Sequence, residues 1–226
     1  RGGKVIVPAF AVGRTQEIVL HLNQMMSDGE IPSVPVYVDS PLAVKATQVF
    51  KNHPECYDEE TYKTFAADGD PFASRYIRYI SSPEDSKRLN EMKGPCVIIS
   101  SSGMCEGGRV VHHLKHAIQD EANVIVIVGF QAQGTLGRKI VDGAKRVRVL
   151  GEEIAVAADI YTIGGLSAHA DRDDLLAWAG RFQAPPGNVF VAHGEESVSL
   201  EFAGTLKEKL GWLAQVPTPG QPLVLR

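Results

Sequence analysis

Two histidines occupy the positions in this sequence best suited to carry chemistry. His169 lies in Gly164-Gly165-Leu166-Ser167-Ala168-His169-Ala170-Asp171, after an apolar stretch and before a helical one, and His193 lies in Val191-Ala192-His193-Gly194-Glu195 at the end of a second apolar run. Imidazole can bind a metal through a neutral ring nitrogen and can move a proton near neutral pH. A lone loop histidine is more often structural or merely exposed. Two at equivalent strand ends, joined by one strand-helix-strand step, make a stronger pair. They do not make a complete metal site, because zinc needs three or four ligands and the chain has no H-x-H-x-D-H cluster. His112, His113 and His116 form a local cluster in a helical stretch, with 112 and 116 on one face. No H-E-x-x-H pattern accompanies them, so they are expected to form a solvated or phosphate-facing surface. His21 and His53 have no evident partners.

Four further segments suit anions. Phe10-Ala11-Val12-Gly13-Arg14, Asp39-Ser40-Pro41-Leu42-Ala43, Ser100-Ser101-Ser102-Gly103-Met104 and the run from Gly129 through Gly134, Thr135 and Arg138 each follow an apolar strand-like run. Glycine lets backbone N–H groups approach an anion, and a helix starting directly afterwards adds a favourable dipole. None is a G-x-G-x-x-G fingerprint or a phosphate-binding P-loop, which argues against a dinucleotide or nucleoside triphosphate. The bland alternative is that the glycines only end strands and begin helices.

These residues need a frame. Short Val/Ile-rich runs alternate with amphipathic stretches, the pattern of βα units around a mainly parallel, doubly wound α/β sheet. Strands are expected at 4–8, 34–39, 75–79, 96–100, 124–128, 146–150, 154–163 and 189–192, with a last one at 223–225. Helices are expected at 14–26, 41–52, 83–92, 108–119, 136–141, 171–181 and 198–210. Ser40-Pro41 and Ser82-Pro83 each pair a capping hydroxyl with proline at the first helical position. The stretch 146–163 reads as two strands joined at Gly151-Glu152-Glu153, which interrupts the alternation and places a domain boundary near residue 160. In open α/β sheets ligands collect at the carboxyl ends of the strands, where all these loops fall.

Bulk properties narrow the function. The formal charge of −4 over 226 residues excludes a protein that coats nucleic acid by bulk electrostatics. A local basic stretch remains, where Arg138, Lys139, Lys145, Arg146 and Arg148 face Asp142. No apolar run approaches the ~20 residues of a membrane span and no signal peptide is evident, so a cytoplasmic protein without membrane contact is expected. Cys56, Cys96 and Cys105 have no paired spacing and are expected to be small packing residues. The start at Arg1-Gly2-Gly3, without an initiator methionine, suggests a fragment.

The motifs taken together resemble the β-CASP nucleases of the metallo-β-lactamase superfamily, most closely the cleavage-and-polyadenylation type and its bacterial and archaeal relatives. The likeness runs through Pro8-Ala9-Phe10-Ala11-Val12-Gly13-Arg14-Thr15-Gln16-Glu17, Asp39-Ser40-Pro41-Leu42-Ala43, Ser102-Gly103-Met104, Gly134-Thr135-Leu136, Ser167-Ala168-His169-Ala170-Asp171 and His193-Gly194-Glu195, in that order. The resemblance implies a β-CASP domain over residues 1–160 and the C-terminal portion of an αββα metallo-β-lactamase domain over 161–226. It implies an RNA phosphodiesterase with two zinc ions in the full-length enzyme, and single-stranded RNA as the bound partner. His193 would ligate one zinc. His169 would act with a carboxylate as general acid. Arg14, Ser102, Gly103, Gly134, Thr135, Arg138 and Ser167 would contact substrate. The H-x-H-x-D-H cluster and the acidic motif would lie in a metallo-β-lactamase segment N-terminal to Arg1, and Asp39 belongs to a different motif. The isolated chain is therefore expected to be nearly inactive and to hold no zinc tightly. A homodimer is left open by the resemblance. Two rival readings remain: a non-catalytic RNA-binding scaffold paralogue, which has no need of both histidines, and a doubly wound nucleotide-binding domain.

Overall fold

The computed structural model describes residues 1–166 and 169–223, with residues 64–68 in their backbone only. Its strands are β1 (Lys4–Pro8), β2 (Val36–Asp39), β3 (Ile77–Ile80), β4 (Cys96–Ser100), β5 (Val124–Ile127), β6 (Arg146–Val149), β7 (Glu152–Ala155), β8 (Asp159–Thr162), β9 (Val189–Phe190) and β10 (Ala214–Gln215). Its helices are α1 (Arg14–Ser27), α2 (Pro41–Asn52), α3 (Glu59–Asp68), α4 (Pro83–Glu91), α5 (Val110–Ala117), α6 (Leu136–Val141), α7 (Arg172–Ala179) and α8 (Glu196–Leu210). They divide into two compact units, Arg1–Leu166 and Ser167–Arg226.

The first unit is built on a parallel six-stranded sheet ordered β3-β2-β4-β1-β5-β8. Strand side chains alternate between faces, and here both faces are buried. Ile6, Cys96, Ile98, Ile125 and Ile127 point into one core with Leu89 of α4, Val110 and Leu114 of α5 and Leu136 and Ile140 of α6. Val7, Val36, Val38, Val97 and Ile99 point into the other with Ile18, Val19 and Met26 of α1 and Ala43 of α2. Each such side chain contributes about 1.5–3 kcal/mol on burial. From β1 the chain steps outward through β2 to β3 with α1 and α2 on one face. From β3 it returns through β4 to β5 with α4 and α5 on the other. A right-handed crossover requires this change of face when the direction of travel reverses. The reversal leaves a crevice beyond the carboxyl ends of neighbouring β4 and β1, the usual ligand position in a doubly wound sheet.

The two serine caps form as expected, with Ser40 Oγ accepting from Ala43 N at 3.2 Å and Ser82 Oγ accepting from Asp85 N at 3.0 Å. The expected strand at 154–163 is a correction, since it is two strands with different partners. β7 closes an antiparallel hairpin with β6, and β8 joins the edge of the main sheet beside β5. Between them the amides of Ala157 and Ala158 donate to Ile118 O at 2.9 and 3.0 Å, turning the chain from one sheet to the other. α3 was not anticipated. Its start is marked by Asp58, whose carboxylate accepts from Thr61 N at 2.7 Å. Cys96 and Cys105 are buried, and burial pushes the Cys105 thiol up to about 12. Cys56 is exposed, so packing does not explain it.

The second unit packs α7 and α8 around Ala179, Leu206 and Trp212 and carries the short parallel pair β9 and β10. The β9 strand stops at Phe190, short of the expected 192, and β10 was not foreseen. The expected strand at 223–225 falls mostly outside the described residues, and Leu223 is not in a strand. Among the described residues no helix is long and apolar enough to cross a membrane.

Candidate functional site

The loops after β1, β4 and β5 are tied to one another at the crevice. Ala9 N donates to Ser100 O at 3.0 Å, which carries the β1–β4 pairing into the loops. The Phe10 ring lies over Gly103, where a Cβ would come within 3.0 Å of the ring. Thr15 holds the turn after β1, its amide and its hydroxyl donating to Phe10 O at 3.2 and 2.7 Å. Gln131, 5 % exposed, donates from Nε2 to the carbonyls of Gly103, Gly129 and Phe130 at 3.0, 3.1 and 3.1 Å. Gly137 N completes the tie by donating to Met104 O at 3.2 Å.

Gln131 also explains a glycine. A Cβ at Gly137 would stand 1.7 Å from Gln131 Oε1, so the strut and the side chain cannot coexist unchanged. Gly137→Ala should therefore destabilise the protein by about 1–3 kcal/mol, the cost of overpacking. A urea titration checks this, and an unchanged midpoint would show that Gln131 moves aside freely.

Of the expected substrate residues, Ser102, Gly103, Gly134 and Thr135 lie in these joined loops. The hydroxyls of Ser101 and Ser102 are buried and have no hydrogen-bond partner. Thr135 caps α6, accepting from Arg138 N at 3.2 Å and donating to Ala132 O at 2.7 Å. The Leu136 amide is engaged by the Glu106 carboxylate, which puts a negative charge at the start of α6. Arg14 pairs with Glu17, and Arg138 Nε contacts both carboxylate oxygens of Asp142 at 2.8 and 3.0 Å. The Arg138–Asp142 pair is exposed, of a kind that contributes little and exchanges readily, whereas the Arg14 side chain is mostly buried.

Beneath the loops lies a polar centre built around Asp39, at the end of β2 and fully buried. Oδ1 accepts from Arg109 Nη1 at 2.6 Å; Oδ2 accepts from His113 Nε2 at 2.6 Å and Ser86 Oγ at 2.5 Å. Arg109 donates onward to Ser81 O at 2.6 Å, His113 Nδ1 lies 2.7 Å from Asn90 Oδ1, and Ser100 Oγ donates to Asp39 O at 2.8 Å. Burial pushes the Asp39 carboxyl up, but the hydrogen bonds from His113, Ser86 and Arg109 outweigh it and hold the group below its ordinary range. The expectation that His112, His113 and His116 form one surface is thus corrected. His112 and His116 are exposed, whereas His113 is 1 % exposed and locked to Asp39.

In the second unit His169 is exposed, lying beyond the end of β8 at Thr162 and just ahead of α7. Its strand is therefore shorter and more distant than expected. Ser167 lies outside the described residues. Asp171 is committed to capping α7, accepting from the amides of Asp173 and Asp174 at 2.8 and 2.9 Å. His193 is exposed in the turn between β9 and α8 with φ 66°, a left-handed conformation that non-glycine residues rarely adopt and that recurs at functional turns. Among the described residues no group of three or more His, Cys, Asp or Glu side chains could hold a metal.

A doubly wound sheet whose polar loops meet at the switch crevice, followed by a smaller histidine-bearing unit, defines a two-unit α/β protein, and comparison with known proteins narrows it. Residues 15–140 match the Beta-Casp domain, and residues 153–217 match the Zn-dependent metallo-hydrolase RNA specificity domain. The chain belongs to the β-CASP family of the metallo-β-lactamase superfamily. It is 40 % identical over 200 residues to Ribonuclease TTHA0252 of Thermus thermophilus, covering 88 % of this chain and 45 % of that protein. It is 37 % identical over 223 residues to Transcription termination factor FttA of Methanocaldococcus jannaschii, covering 96 % of this chain and 35 % of the relative. With the FttA of Pyrococcus horikoshii it shares 33 % identity over 232 residues, or 100 % and 35 % of the two chains. The chain thus spans less than half the length of these relatives.

Proposed function

We propose that this chain forms the substrate-binding body and part of the catalytic centre of a zinc-dependent RNA phosphodiesterase. Residues 1–160 would serve as its β-CASP domain and 161–226 as the returning portion of its metallo-β-lactamase domain. The observation that carries the reading is the joining by Gln131 of the loop after β4, at Gly103, to the loop after β5, at Gly129 and Phe130, at the crevice of a sheet that matches the β-CASP family. Single-stranded RNA would lie across these loops, with Arg14 and Arg138 exchanging their carboxylate partners for phosphate oxygens. His169, together with a carboxylate, would protonate the leaving oxygen, and Ser167 would contact substrate.

His193 is the proposed zinc ligand, and its imidazole suits the metal that the matched metallo-hydrolase domain names. By themselves the described residues do not fit a zinc pair, since they gather no cluster of three donors. The other donors would come from a part of the protein outside this chain. A scaffold paralogue is the second reading. The acidic Glu106 at the start of α6 favours it by opposing phosphate there, and the presence of both His169 and His193 weighs against it.

The test is RNA cleavage by the protein that contains this chain, on an unstructured RNA, before and after chelation. Cleavage that stops with chelator and returns with zinc is expected. Elemental analysis of the 226-residue chain alone should find zinc below one equivalent. RNA binding without cleavage under every metal condition would establish the scaffold instead, and stoichiometric zinc in the chain alone would refute the division of ligands.

A further inference from the structure

Two phenylalanines at the crevice are left exposed, against the usual tendency of this residue. Phe10 follows β1 and is 52 % exposed, and Phe130 follows β5, the neighbouring strand, and is 62 % exposed. Neither is on a loose segment. The carbonyl of Phe10 accepts from both Thr15 N and Thr15 Oγ1, and that of Phe130 accepts from Gln131 Nε2. The same Gln131 nitrogen binds the Gly103 carbonyl, and Gly103 lies under the Phe10 ring. The loops that carry the two rings are thus tied to each other through Gln131 at Gly103.

We infer that Phe10 and Phe130 form a stacking platform for unpaired nucleobases of single-stranded RNA. The inference rests on the reading of the chain as an RNA-binding β-CASP body and assigns the part of that site which reads bases. The surroundings select this occupant. The charged groups of the same loops suit a nucleotide, with the cationic Arg14 and Arg138 in the first turns of α1 and α6. A base offers a π-face to each ring while its phosphate meets charge, and every base can do so, which makes the contact tolerant of sequence. Paired bases hide those faces, so duplex RNA gains nothing from the platform.

Equilibrium binding by the full protein, held inactive with chelator, tests this. The probes are a single-stranded RNA and an abasic oligonucleotide of equal length carrying the same phosphates. Wild type should bind the RNA at least about tenfold more tightly, since stacking strengthens binding per base by that order. Phe10→Ala and Phe130→Ala should each lose about tenfold on the RNA and nothing on the abasic strand. Phe10→Leu and Phe130→Leu, which keep an apolar side chain, should lose affinity likewise while retaining the wild-type melting temperature. Alanine variants that bind RNA as wild type does would overturn the platform and leave the RNA reading intact. Loss of a protein partner with unchanged RNA affinity would assign the rings to protein docking and overturn it as well. A wild-type protein that binds neither probe would overturn both readings.

Discussion

Asp39→Ala should destabilise the first unit by about 3–5 kcal/mol, the cost of leaving a buried cation without its partner. Arg109 Nη1 and His113 Nε2 both point at the lost carboxylate, and Ser86 Oγ loses its acceptor. The damage spreads because the partners come from different elements. Ser86 and Asn90 belong to the α4 segment, Arg109 and His113 flank the start of α5, and Ser81 follows β3. Asp39→Asn keeps the shape and removes the charge, so it should cost less than alanine but still lower the denaturation midpoint. The pH dependence has a definite sign. The folded-state pKa of Asp39 lies below its unfolded value of about 3.9. The stabilisation is therefore complete above the unfolded value and fades as pH falls from there through the folded one. Urea midpoints measured between neutral pH and pH 3 should fall for wild type, and that part of the slope should vanish in Asp39→Asn. Equal midpoints for wild type and Asp39→Ala would show that the centre stabilises nothing.

The same residue shows where a sequence stops being readable. The frame is legible because local rules dictate it. Unbroken Val/Ile runs give β1 and β4, as for strands buried on both faces, and Ser-Pro pairs give the starts of α2 and α4. Asp39 reads only as a polar residue closing a strand, because its partners stand 47, 70 and 74 positions away. His113 sits one position from exposed His112, and no local pattern says which of the two turns inward. The apolar run at 154–163 hides a change of sheet, since hydrophobicity records burial but not partner. Gln131 is similar: its value as a strut depends on three carbonyls, one of them 28 positions distant. Phe10 and Phe130 fall in loops that read as suited to anions, and no local pattern shows that their rings are exposed. Motif order conveyed the family and its candidate residues, and the long-range contacts that support them had to come from the fold.

His169→Ala should reduce the rate of RNA cleavage by the full protein by about 10²–10⁴-fold, the usual contribution of a positioned proton donor. Binding should hardly change, because the proposed proton donor would act when the leaving oxygen takes a proton and not when RNA docks. The exposed His169 stands just ahead of α7, whose N-terminus is capped by Asp171 Oδ1. His193→Ala separates the two roles. As the proposed metal ligand it should lower zinc content and cleavage together, while His169→Ala should leave zinc content unchanged. A pH profile sharpens the contrast: the proton donor's loss should remove the alkaline limb of the rate, since that limb reports deprotonation of the acid. A substrate with a leaving group that needs no proton should recover most of the rate in His169→Ala and none in His193→Ala. If His169→Ala cleaves at the wild-type rate, or if the activated substrate rescues both variants equally, the proton-donor assignment is wrong.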